Sequence, residues 1–84
     1  MSGVARVSGK QDGEGLLIKL GEAVRAARVA RGMSQETLAD ASGIDRSHMG
    51  KIERGERNVT IMNVAKVAAA LDALPSDILR EAGL

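Results

Sequence analysis

The residues of this sequence best able to do chemistry are hydrogen-bond donors rather than nucleophiles. Arg46, Ser47, Lys51 and Arg54 lie close together in the middle of the chain. Placed on a helix at about 100° per residue, they share one side with Gly50. Met49, Ile52 and Glu53 share the other side, with His48 at its edge. Arginine and lysine donate to guanine edges, and serine donates or accepts, so the polar side suits a DNA major groove. Gly50 would let the helix backbone come close to the bases. The plainer reading is a solvated surface helix that Gly50 weakens by about 1 kcal/mol relative to alanine.

Other chemistries find little footing. The 84 residues contain no cysteine, which rules out disulfides and thiolate metal sites. His48 is the only histidine. No carboxylate pair is placed to activate it, and it reads as a partly buried packing residue. No nucleophile–base pair, phosphate loop or metal cluster stands out, so neither an enzyme nor a cofactor is expected. Twelve basic residues face eleven acidic ones, a net charge of +1, so any nucleic-acid function must rest on where the charges sit. There is no apolar run of signal-peptide or transmembrane type, and the expectation is a cytoplasmic protein without a membrane partner.

The donors need elements to hold them. With no Phe, Trp or Tyr, the core must come from Leu, Ile, Val, Met and Ala, the mix of packed helices. Residues 1–15 are rich in glycine and read as a flexible arm, either inert or touching phosphates through Arg6 and Lys10. From Leu16 the pattern turns helical, with Leu17, Leu20, Val24 and Ala27 on one face and Gly32 after the end. Ser34 is an N-cap signal for a second helix that stops at Gly43, and Asp45 for a third from Arg46 to Arg54. Gly55 stops the third helix. Thr60 caps a fourth with Ile61, Val64, Val67, Ala68 and Leu71 at core spacing. Pro75 cannot continue that helix, and Ser76 is the expected cap of a short fifth. The predicted fold is all-α: a compact domain of five short helices over residues 16–84, containing a helix-turn-helix.

Two short helices around a glycine turn are by themselves a weak signal. The wider pattern is more specific. Arg28 and Arg31-Gly32 precede "MSQETLADASGI"; Ile52-Glu53-Arg54-Gly55, Arg57-Asn58 and "VAKVAAALDAL" follow. From Leu20 to Leu79 the chain resembles the phage repressor and Cro type of helix-turn-helix domain, also called Xre-like. The resemblance implies a transcription regulator with double-stranded DNA as its partner, its third helix lying in the major groove. By that resemblance Gln35 holds a phosphate and braces the third helix. Arg46, Ser47 and Lys51 fall where the family reads bases, and Arg57 and Asn58 where it meets the DNA backbone. Arg28 and Glu53 match a family pair linking the first helix to the third. Such a partner is needed, since a buried carboxylate without one is costly. The chain departs from the family at Ser42, Gly50 and Val59, where alanine, a small polar residue and proline are common.

The resemblance also implies a homodimer on a palindromic operator, with Met62, Leu74 and Ile78 as the candidate interface. Small stand-alone members include restriction-modification controllers and phage or plasmid repressors. An alternative is an antitoxin-type module whose exposed apolar surface, around Met62, Leu74 and Leu84, binds another protein while the domain also binds its own promoter.

Overall fold

Short side chains at three helix starts satisfy backbone N–H groups that have no partner within the helix. The computed structural model describes residues 15–84, which form α1 (Leu16–Ala30), α2 (Gln35–Ser42), α3 (Arg46–Glu53), α4 (Ile61–Ala70) and α5 (Pro75–Glu81). The Ser34 hydroxyl accepts from Thr37 N at 3.0 Å and starts α2. Asp45 Oδ2 accepts from Ser47 N at 3.0 Å and His48 N at 3.3 Å and starts α3. Thr60 Oγ1 accepts from Asn63 N at 3.1 Å and starts α4. Gly43 closes α2 with φ +70°, a left-handed turn that redirects the chain into α3. No strand occurs among the described residues.

The arm expected over residues 1–15, with Arg6 and Lys10, lies outside the described residues except for Gly15. The start of α5 differs from expectation. Leu74 is its N-cap and Pro75 its first residue, so Ser76 lies inside the helix. Proline is preset for that position and lacks the N–H that would go unpaired there. Asp77 provides the cap interaction, its Oδ2 accepting from Leu74 N at 2.9 Å.

The core gathers Leu20, Val24, Leu38, Met49, Ile52, Val64, Val67, Leu71 and Ile78 from all five helices. α1 packs on α3 and α5, α2 on α3 and α4, and α4 on α5. Ile61 was expected in this core, but it lies in the first turn of α4 and is exposed. Periodicity shows which side of a helix faces inward, not where the neighbouring element ends. Ile78 corrects a second expectation: at 3% exposure it belongs to the core of the domain and offers nothing to a second chain. Met62 and Leu74 are each 63% exposed. Among the described residues, no helix is long and apolar enough to cross a membrane.

Candidate nucleic-acid interface

α3 is held by one carboxylate. Glu53, at its last turn, is buried at 7% exposure. Arg28 on α1 donates Nε to Glu53 Oε2 at 2.7 Å and Nη2 to Glu53 Oε1 at 3.0 Å. The third arm of the same guanidinium, Nη1, donates to Met33 O at 2.9 Å in the turn before α2. Gln35, the first residue of α2, donates Nε2 to Glu53 Oε1 at 3.1 Å. The two-point hydrogen bond to Glu53 raises the Arg28 pKa above its ordinary value. One charge pair thus fixes α1, the α1–α2 turn, α2 and α3 relative to one another.

Two glycines make this close packing possible. A Cβ on Gly21 of α1 would collide with the carbonyl oxygens of Ile52 and Glu53. Gly55 has φ +71°, and a Cβ there would lie 2.7 Å from Ile18 Cα and N. Both positions press the end of α3 against α1. In the sequence Gly55 stands as a stop signal, whereas nothing local explains Gly21. Its signal was a glycine inside a strongly helical pattern, a costly placement that asks for a packing reason.

With Met49, Ile52 and Glu53 turned inward, the polar side of α3 is left facing out. Arg46 and Ser47 are exposed and Lys51 is half-buried. Gly50 is buried, which corrects the expectation that its backbone approaches DNA. A Cβ there would meet Arg54 Nη1 at 3.1 Å and Gln35 Oε1 at 3.3 Å, so the missing side chain makes room for these two protein groups. Gln35 and Arg54 therefore both lie against Gly50, at the seam between α2 and α3. Arg57 and Asn58 are exposed in the loop after α3.

Two glutamates that the sequence reading did not single out sit among these donors. Arg46 Nη1 lies 3.4 Å from Glu36 Oε2 on α2, and both side chains are exposed. Arg54 forks onto Glu56 at 2.9 and 3.2 Å. That hydrogen bond raises the Arg54 pKa and holds the Glu56 carboxyl below the usual carboxylate range. One pair joins two different helices and the other lies past the end of α3, so the periodicity of a single helix reveals neither. His48 is half-buried, as expected of a packing residue, with Nε2 buried and unpartnered among the described residues.

A helix-turn-helix family model matches residues 24–79, which span all of α2 to α4, the C-terminal half of α1 and most of α5. The chain belongs to this helix-turn-helix family. Its α2 and α3 are the two helices of the motif, and the family is one of DNA-binding transcription regulators. The control protein C.SmaI of Serratia marcescens is 42% identical over 65 residues, 77% of each chain. The crystal structure of the restriction-modification controller protein C.AhdI from Aeromonas hydrophila is 52% identical, with a TM-score of 0.73 over 74% of this chain and 94% of that one. A structure of C.Esp1396I bound to a 25 base pair operator site is 31% identical, with a TM-score of 0.73 over 80% of this chain and 88% of that one. This helix-turn-helix domain therefore shares its fold, at 31% identity, with a protein whose structure is known bound to an operator site.

Proposed function

We propose that the chain is a sequence-specific transcription regulator that binds a palindromic operator as a homodimer and acts by binding rather than catalysis. The observation that carries this reading is the Glu53 brace. It fixes the last turn of α3 against α1 and α2 while Arg46, Ser47 and Lys51 stay on the outer side. In a major groove Arg46 would grip guanine O6 and N7, Ser47 would reach an adjacent base edge, and Lys51 would lie toward the far edge of the reading face. Gln35 and Arg54 at the α2–α3 seam, with Arg57 and Asn58 in the loop, would anchor to phosphates.

One short recognition helix reads too few base pairs for useful specificity, so a two-fold dimer on half-sites roughly 34–36 Å apart is the fitting arrangement. The exposed Met62 and Leu74 are the side chains for its interface, joined by Ile61 at 68% exposure. The named relatives, one of them a restriction-modification controller, favour control of a restriction-modification system.

The test uses the DNA upstream of the chain's own gene. Fluorescence anisotropy should show tighter binding to that duplex than to a scrambled one, and footprinting should show two protected half-sites about one helical turn apart, or a multiple of it. Equal binding to both duplexes would overturn the reading.

A further inference from the structure

A carboxylate occupies the surface that is meant to meet phosphates. Glu56 lies between Arg54 and Arg57, in the loop directly after α3. Its two oxygens take Arg54 Nε at 2.9 Å and Nη2 at 3.2 Å. Arginine grips a phosphate through the same kind of parallel two-point fork. The remaining nitrogen, Nη1, lies 3.1 Å from where a Cβ on Gly50 would be. Arg54 is therefore already positioned at the α2–α3 seam, with a carboxylate where a phosphate would bind.

Both partners are more than half exposed, so the pair is held in water and can be displaced. The hydrogen bond from Arg54, with the charges of Arg54 and Lys51, holds the Glu56 carboxyl below the usual carboxylate range. A packing role does not explain this residue, whose side chain is 53% exposed. On a surface facing DNA, a bare carboxylate would only repel.

We propose that Glu56 is an internal substitute for a backbone phosphate, holding Arg54 in the free protein so that DNA must displace it to gain that contact. The proposal rests on the DNA-binding reading above. Because every sequence carries the same phosphates, the effect is equal on operator and unrelated DNA. Glu56 lowers affinity for both and flattens the salt dependence, keeping the weakly charged domain from lodging on arbitrary sites.

The test is Glu56→Gln, with Glu56→Ser as a second variant, titrated against the upstream duplex and a scrambled duplex at several salt concentrations. Both variants should bind the two duplexes about two- to five-fold tighter per protomer. The slope of log affinity against log salt should steepen by about one unit per protomer. In an Arg54→Ala background the gain should vanish. No tightening in either variant would overturn the proposal, as would tightening that persists without Arg54, since that would be a bare charge effect. The wild-type titration tests the underlying reading separately: if the wild type bound neither duplex, the DNA-binding reading would fail and the proposal with it.

Discussion

Arg28 and Glu53, twenty-five residues apart, form a two-point ion pair at 2.7 and 3.0 Å, with side chains only 13% and 3% exposed. Its energetic sign depends on which change is made. A buried pair can be roughly neutral relative to well-packed apolar residues, whereas removing one partner leaves a buried charge unmatched. Glu53→Ala should therefore destabilise the domain by about 3 kcal/mol or more, read from urea or thermal unfolding. Unfolding matching that of the wild type would show that the pair does not hold α3.

Gly50 separates stability from binding. Alanine raises helix propensity by about 1 kcal/mol over glycine. The new methyl would meet side-chain ends rather than backbone, Arg54 Nη1 at 3.1 Å and Gln35 Oε1 at 3.3 Å, and these need shift by only a few tenths of an ångström. Gly50→Ala should leave the melting temperature unchanged or higher. On the DNA-binding reading, displacing Arg54 and Gln35, the two groups proposed to anchor to phosphates, should weaken binding to operator and scrambled DNA alike, in anisotropy titrations. A less stable variant with unaltered DNA binding would show that Gly50 serves the core instead.

What was legible in the sequence was local. Ser34, Asp45 and Thr60 were readable as caps because each accepts from a backbone N–H two or three residues ahead. The inward face of α3 was readable because Met49, Ile52 and Glu53 recur at helical spacing. Serine is a commoner cap than leucine, so Ser76 is the obvious local candidate for the start of α5, whereas the cap in place depends on Asp77 reaching back to Leu74 N. Gly21 was missed because its reason lies in the carbonyls of α3, some thirty residues away. The core position of Ile78 and the exposure of Ile61 depend on which helices lie over them, and periodicity carries no information about that. Glu36 and Glu56 looked like ordinary surface acids until the fold set them against Arg46 and Arg54.

The dimer reading predicts that charge on the apolar end of α4 and the α4–α5 turn separates the protomers without unfolding them. Met62 and Leu74 are each 63% exposed, so their replacement should leave the core intact. Met62→Glu with Leu74→Glu should convert a dimer to a monomer at tens of micromolar in light scattering, with unchanged helicity by circular dichroism. A wild type that is monomeric both free and on DNA would place the interface, if one exists, elsewhere.

The most direct measurement asks which arginine reads sequence. Arg46, at the first turn of α3, is read as a base contact, and Arg57, in the following loop, as a phosphate contact. Arg46→Ala, Lys51→Ala and Arg57→Ala are titrated against operator and scrambled duplexes at several salt concentrations. Loss of a bidentate base contact should cost about 1–3 kcal/mol of discrimination at one position. Arg46→Ala should thus lower the operator-to-scrambled ratio most and Lys51→Ala next, since its single ammonium is a less specific donor. Arg57→Ala should weaken both duplexes alike and reduce the salt slope by about one unit per protomer. Discrimination abolished by Arg57→Ala and retained by Arg46→Ala would contradict the assignment of α3 as the reading helix.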